Sequence, residues 1–180
     1  IITMMQNIDF TCVCYHYIQI TGPWIFDGNN HRIEFTSESK VCGIFRFDGD
    51  DLVQVKNLQF GVSGTTINGI LDTVNQIDNH GHSYLFQYTE NIYVFIENCS
   101  NHYPIDQPYS GGLIFGINES LYKLNNSVQQ NIELKNCFST GYISGAKSGG
   151  LGGSGIGKRY GCIIMQCYNT GDINGNSLGG

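Results

Sequence analysis

Charge, proline and long apolar runs are all scarce in this sequence of 180 residues. Charged residues make up 13% of the chain, about half the usual share of soluble domains. No apolar run approaches the roughly 20 residues that a membrane-spanning helix needs. The nine Lys and Arg residues are scattered and the formal net charge is −6, so nucleic acid is a poor candidate partner.

The N-terminus also lacks the basic and apolar segments of a signal peptide. However, the chain begins at Ile1 rather than Met, and it stops at Gly180 inside a recurring pattern. We therefore expect it to be a segment of a longer polypeptide. The missing signal peptide then carries little weight.

Hydrophobic residues, glycine and asparagine are the abundant components. Hydrophobic residues reach 41%, and there are 24 glycines. Together with many Tyr, Phe and Ile residues, this composition favours short strands joined by tight turns. The length suits one domain, and we predict a single domain over residues 1–180.

A repeat is the strongest signal in the C-terminal half. Cys99, Cys137 and Cys167 are each followed, twelve residues later, by a Gly-Gly pair. The offsets between these cysteines are 38 and 30 residues. A fixed internal spacing of this kind is typical of proteins built from stacked units.

The N-terminal half repeats at a shorter interval. Its sequence from Phe26 to Asn29, FDGN, recurs as FDGD from Phe47 to Asp50, an offset of 21 residues. We therefore divide the domain into shorter units over 1–75, an insertion or loop region over 76–95, and longer units over 92–180.

Apolar residues alternate within each unit. Examples are Ile18 and Ile20, Ile33 and Phe35, Val53 and Val55, Ile92, Val94 and Ile96, and Ile132 and Leu134. A period of two indicates strands with one face inward. We predict an all-β, single-stranded, right-handed parallel β-helix (solenoid) with about 20–30 residues per coil, each strand pairing with its equivalent in the next coil.

Equivalent positions should then stack along the column. We predict an inward ladder of Cys99, Cys137 and Cys167, and a neighbouring polar ladder of Asn98, Asn136 and Gln166, with Asn57 preceding them, whose amides hydrogen-bond along the axis. Corner glycines with positive φ are predicted at four positions: Gly141, Gly145, Gly171 and Gly175.

The seven cysteines leave at least one thiol unpaired within the chain. One interpretation is that they are buried free thiols, acting as small hydrophobic residues. The alternative is one or more disulfides formed in an oxidising compartment. The Cys12-x-Cys14 pair lacks the second pair that a zinc site needs, and a structural role is favoured.

Three other patterns suggest chemistry but have a simpler explanation. Asp27, Asp48, Asp50 and Asp51 could form a cation site, yet Asp-Gly-Asn and Asp-Gly-Asp are also favoured turn sequences. His80 and His82 have metal-binding spacing but fit solvated loop side chains. The glycine-rich run up to Lys158 fails the phosphate-loop motif because Arg159 follows it. We assign no catalytic, cofactor-binding or metal-binding residue.

Two stretches resemble known families. NCFSTGYISG, from Asn136, and QCYNTGDINGNSLGG, from Gln166, resemble the GLUG-type repeat of bacterial surface proteins and of β-helix proteins in giant DNA viruses. The stretch from Gly22 to Ile33, GPWIFDGNNHRI, resembles the opening coils of pectin-lyase-like right-handed β-helices. These resemblances imply the fold more strongly than a function.

The resemblance to giant-virus proteins implies a non-enzymatic structural protein, expected as a minor capsid, vertex or fibre component of the virion. Its partners would be other structural subunits. The alternatives are a bacterial-type surface adhesin, which would be extracellular and could bind cell-surface glycans through its many Tyr residues, and a polysaccharide lyase or hydrolase. We expect no cofactor.

Overall fold

The computed structural model describes residues 1–10, 17–35, 40–47, 51–62, 70–71, 81–86, 92–116, 130–156 and 161–174. These ranges contain strands, bends and turns but no helix. Accordingly, they include no helix that is long and apolar enough to cross a membrane.

Six strands form the first sheet, and all of them pair in parallel. They are β1 (Ile2–Thr3), β4 (Trp24–Asp27), β8 (Leu52–Lys56), β11 (Ile92–Glu97), β13 (Gln130–Lys135) and β15 (Cys162–Met165), and this chain order is also their order across the sheet. Each new strand is therefore added next to the preceding one, at the same edge.

A second parallel sheet follows the same order. Its strands are β2 (Ile8–Phe10), β5 (Arg32–Phe35), β9 (Gln59–Phe60), β12 (Ser100–Asn101), β14 (Phe138–Ser139) and β16 (Tyr168–Asn169). Two smaller parallel pairs join β3 (Ile18–Ile20) to β7 (Phe45–Phe47), and β6 (Lys40–Val41) to β10 (Ile70–Leu71). The prediction of an all-β protein with parallel pairing is confirmed for the described residues.

The alternating residues form the core, as their period of two predicts. On the first sheet, Val55, Ile96 and Leu134 are register partners and are fully buried. Lys56, Glu97 and Lys135 follow them on the opposite face. Burial of apolar side chains stabilises such a sheet by about 25 cal/mol per Å² of surface removed from water.

One residue makes the turn from the first sheet to the second. Asn57, Asn98, Asn136 and Gln166 each follow a first-sheet strand, and their φ angles lie between 52° and 54°. Asn tolerates this left-handed conformation better than most residues that carry a side chain. The positive-φ corner position is therefore occupied by amide residues.

The prediction of positive φ at the corner glycines is wrong for Gly141, Gly145 and Gly171. All three lie at bends, but none has φ in the left-handed region. A Cβ atom on Gly141 would lie 1.9 Å from the Tyr103 carbonyl oxygen, and one on Gly171 would lie 1.9 Å from the Gly141 oxygen. Close approach of neighbouring backbones, rather than φ, therefore requires glycine there. Gly175 lies outside the described residues.

Residues 81–86 are the described part of the predicted insertion or loop region over 76–95 that precedes β11. Tyr84, Leu85 and Phe86 are fully buried, and Phe86 forms a parallel bridge with Phe45. The N–H of Phe45 also donates to the Leu85 carbonyl at 2.9 Å. Tyr84, Leu85 and Phe86 are therefore part of the core, although their sequence matches neither repeat.

Candidate functional site

The predicted cysteine row lies on the buried side of the turn between the two sheets. Backbone hydrogen bonds relate its members in order: Ser100 N–H to Leu58 O, Phe138 N–H to Cys99 O, and Tyr168 N–H to Cys137 O, at 3.0 to 3.1 Å. The Cys137 N–H also donates to Cys167 Sγ at 3.3 Å. Leu58, Cys99, Cys137 and Cys167 thus occupy equivalent positions at successive turns between the two sheets.

Each thiol in this row has the same local partner. The Sγ atoms of Cys99, Cys137 and Cys167 lie 3.3, 3.3 and 3.2 Å from the carbonyl oxygen two residues earlier. The left-handed residue between them brings the thiol back towards that carbonyl. Each thiol therefore gives a hydrogen-bond partner to a backbone carbonyl group at the corner that Asn98, Asn136 or Gln166 forms.

Burial makes the inner thiols poor nucleophiles and poor metal ligands. It raises the pKa of Cys99 well above its ordinary value, and it raises the pKa of Cys137 to about 12. Because the thiolate is the reactive form, both groups are protonated and inert at neutral pH. Among the described residues, Cys99, Cys137, Cys162 and Cys167 are free thiols, and Cys42 is buried. Cys12 and Cys14 lie outside the described residues.

The polar row beside the thiols begins with a carboxylate. The Asn57 side chain donates from Nδ2 to Asp27 Oδ1 at 3.0 Å, and Asn98 Nδ2 donates to Asn57 Oδ1 at 3.1 Å. Asn136 and Gln166 hold the equivalent backbone positions on the next two strands. The Asn57 and Asn98 amides thus link neighbouring segments of the chain, as stacked amides do in cross-β ladders. The predicted hydrogen bonds among Asn98, Asn136 and Gln166 stay a prediction.

Asp27 is held in place by this row, not directed towards a ligand. The Asn57 side chain and the Asn29 N–H donate to its carboxylate, and these bonds hold the pKa of Asp27 below its ordinary value. Lys56 Nζ lies 3.2 Å from Asp27 Oδ2. The turn interpretation of the Asp27-Gly28-Asn29 sequence therefore accounts for this residue. Asp51 is exposed, and Asp48 and Asp50 lie outside the described residues.

Charges alternate across the outer face of the first sheet, at the last position of each strand. Register partners place Asp27, Lys56, Glu97 and Lys135 on consecutive strands, between Thr3 at one end and Met165 at the other. Lys135 Nζ lies 2.9 Å from Glu97 Oε1. If a strand paired with the next but one, such as β4 with β11, like charges would lie side by side. The alternation of charge therefore favours the observed order of the strands.

The other candidate metal ligands within the described ranges do not lie close together. Among the described residues, no three His, Cys, Asp or Glu side chains are placed to hold one ion. His82 is buried, its backbone N–H donates to Ser110 Oγ at 3.1 Å, and His80 is not described. The residues from Gly157 to Tyr160, which include Lys158 and Arg159, also lie outside the described ranges.

A buried polar cluster on the second sheet was not found from the sequence. His102 Nε2 lies 3.2 Å from Ser100 Oγ, and His102 Nδ1 lies 2.7 Å from Thr140 Oγ1 on the neighbouring strand pair. Burial lowers the pKa of His102, which keeps the imidazole neutral. Because Ser100 is buried, its hydroxyl is not open to a substrate. The cluster therefore joins neighbouring segments of the chain.

Two aromatic rings stack beside this cluster. The Phe138 and Tyr168 ring centroids are 5.2 Å apart with an interplanar angle of 7°, and the two residues are register partners on β14 and β16. His102 contacts Phe138 edge to face. The repeat alignment predicts that these residues are equivalent, but the stacking could be seen only in the structure.

Comparison of the chain with protein-family models, with curated proteins and with solved structures finds no match.

Proposed function

We propose that the protein is a right-handed parallel β-helix that acts as a non-enzymatic structural body in a larger assembly. Two six-stranded parallel sheets with the same strand order support this fold, since each coil of a β-helix would add one strand to each sheet. Bridges between Ile105, Ile143 and Ile173 supply a third side at the same intervals.

The single observation that carries the structural role is the use of the repeated polar groups. The Asn57 and Asn98 amides, the charge row and the thiols bind groups on their own or a neighbouring segment of the chain. A catalytic or binding site would instead direct several such groups towards a shared space. In this chain, they hold coils in register.

For the biological context, we propose a virion component of a giant DNA virus, as a minor capsid, vertex or fibre protein. This proposal rests on the resemblance of the Cys137 and Cys167 units to Cys-rich GLUG-type repeats. Its partners would be other structural subunits of the particle.

A bacterial-type surface adhesin is the second candidate. The observation that favours it is the exposed Tyr168 ring, which lies beside Phe138 on the outer face of the second sheet. Exposed aromatic rings can stack on sugars.

A polysaccharide lyase or hydrolase is the third candidate. It would require carboxylates other than Asp27, because that group is already bound to Lys56 and Asn57.

The experiment is to identify the parent chain by mass spectrometry in purified fractions of its source. A virion protein is expected at fixed stoichiometry in intact particles after washing with salt. Recovery in cell envelopes supports the adhesin. Release of unsaturated or shortened products from acidic polysaccharides by the pure chain would contradict the non-enzymatic proposal.

A further inference from the structure

A buried histidine on the second sheet joins two consecutive units of the repeat. His102 is 7% exposed and follows β12, in the unit that begins with Cys99. Its Nε2 atom lies 3.2 Å from Ser100 Oγ in the same unit, and its Nδ1 atom lies 2.7 Å from Thr140 Oγ1 in the next unit. Each ring nitrogen therefore has a hydroxyl group as its partner, and the second contact crosses the junction between the units.

The neutral imidazole suits these two partners. It has one N–H donor and one acceptor nitrogen, and a hydroxyl group can rotate to serve either of them. Protonation would turn both nitrogens into donors and add a positive charge. The Ser100 and Thr140 hydroxyl groups could accept both hydrogen bonds, but they carry no negative charge to replace the hydration that a buried cation loses.

Among the described residues, the preceding strands place no charge directly beside His102. Gly61 holds the equivalent position on the segment before it and has no side chain. Glu34, and Asp9 beyond it, lie one and two strands further along the same row. Glu34 is paired with Arg32. The carboxylate that follows Gly61 in this row therefore already has a cationic partner.

The following strands bring aromatic rings to the other side of the imidazole. Phe138 contacts it edge to face, with ring centroids 5.5 Å apart, and Tyr168 stacks on Phe138. An aromatic ring can attract a cation, but this attraction is small beside the cost of burying a charge that has no counter-ion. Accordingly, burial lowers the pKa of His102 below its ordinary value.

We infer that His102 makes this junction acid-sensitive: protonation of its imidazole loosens the contact between residues 100–102 and residues 138–140. Above about pH 6.5, the ordinary pKa of histidine, the imidazole is neutral whether the junction is closed or open. Below that pH, the open state takes up the proton first, because the pKa in the closed state is lower. The equilibrium constant for opening therefore rises as the pH falls, by up to about tenfold per pH unit.

Hydrogen exchange of backbone amides, followed by NMR at about pH 7.5 and about pH 5.5, tests the inference. The Thr140 N–H donates to Asn101 O at 2.9 Å across the junction, and the Gly28 N–H donates to Lys56 O at 2.8 Å on the first sheet. After correction for the intrinsic exchange rate, we expect the protection of Thr140 to fall by about two- to tenfold at the lower pH, while that of Gly28 is unchanged.

Two variants identify the group that takes up the proton. His102→Gln keeps a hydrogen-bonding side chain that does not titrate, so Thr140 should be equally protected at both pH values. His31→Gln is the matched control, because His31 lies just before β5 of the same sheet and makes no contact with the junction. It should keep the pH dependence of the unmodified chain. If His102→Gln does not fold, an NMR titration of His102 in the unmodified chain replaces it, with the chain in urea as the reference.

Three results would overturn the inference. The first is equal protection of Thr140 at the two pH values in the unmodified chain, or the same loss in His102→Gln. The second is a His102 imidazole that takes up its proton at the same pH as in urea, or at a higher pH. The third is an equal loss of protection at Gly28, which would show that acid acts on the whole fold and not on this junction. None of them bears on the proposed structural role.

Discussion

The backbone N–H of Phe35 donates a hydrogen bond to the Tyr103 hydroxyl at 2.8 Å, inside the core. Phe35 ends a second-sheet strand, and Tyr103 comes from a segment 68 residues later in the chain. Gly61 makes room for the Tyr103 ring: its φ is 74°, and a Cβ atom there would lie 3.0 Å from the ring. The backbone N–H at the end of this strand thus finds its hydrogen-bond acceptor on a side chain that is distant in sequence.

Replacing Tyr103 by Phe tests this relationship. The ring and its packing remain, but the buried N–H of Phe35 loses its acceptor. A buried donor without a partner costs about 1–3 kcal/mol of stability. We expect urea denaturation to show a loss of this size for Tyr103→Phe, and little change for Tyr142→Phe, because Tyr142 is exposed. Equal stability of the two variants would contradict this role.

The left-handed backbone of Gln166 predicts that two substitutions there change stability in opposite directions. Its φ of 54° is a conformation that favours Gly or Asn. We expect Gln166→Gly to raise the unfolding free energy by about 0.5–1 kcal/mol, because the strain outweighs the added chain entropy. Gln166→Val should lower the free energy, since β-branched residues tolerate positive φ poorly. Thermal denaturation measures both; the reverse order would show that φ is unimportant there.

Gly141 should not tolerate even a methyl group. Its Cβ would lie 1.9 Å from the Tyr103 carbonyl oxygen, which belongs to backbone and cannot rotate away. We expect Gly141→Ala to cost at least about 2 kcal/mol in chemical denaturation, at the upper end of single substitutions. Tyr142→Ala is the control, because it alters an exposed side chain at the same bend. A stable Gly141→Ala variant would contradict the close approach.

The buried thiols predict a loss of stability at alkaline pH. Burial raises the pKa of Cys137 from 9.0 to about 12, so the folded state disfavours the thiolate. Below pH 9 the contribution of this group is fully present. As the pH rises from 9 towards 12, the unfolded thiol ionises first and stability falls, with a limiting slope of about 1.4 kcal/mol per pH unit for each thiol.

Cys137→Ala isolates this contribution. The variant loses packing at every pH, but its unfolding free energy should depend less steeply on pH between 9 and 11 than that of the unmodified chain. Urea denaturation at several pH values measures the two slopes. Parallel slopes would show that Cys137 is not buried in the folded state.

Parts of the fold were predictable because they depend on residues close in sequence. The alternation of Ile92, Val94 and Ile96 identifies a strand and its inner face, and the structure bears this out in β11. The cysteine-to-glycine spacing also has a structural counterpart, since Gly111 and Gly149 form a parallel bridge.

Other features depend on which segments, distant in sequence, pack against each other. Nothing near Tyr84 shows that its ring is buried against Tyr103, with its hydroxyl donating to Pro104 O at 2.6 Å. The close contacts of Gly141 are similarly hidden, because their cause is the Tyr103 carbonyl of another strand pair. The repeat therefore predicts a glycine at this corner, but its reason is the close backbone contact and not a positive φ.

In the first sheet, residues 30 and 38 positions apart in the chain lie next to each other in a fixed register. Nuclear Overhauser contacts between selectively labelled methyl groups test this register. We predict cross-peaks from the Leu134 methyls to Ile96 and to Ile164, and none to Ile163, which lies on the other face of β15. Contacts from Leu134 to Ile163 in place of Ile164, or to neither, would contradict this register.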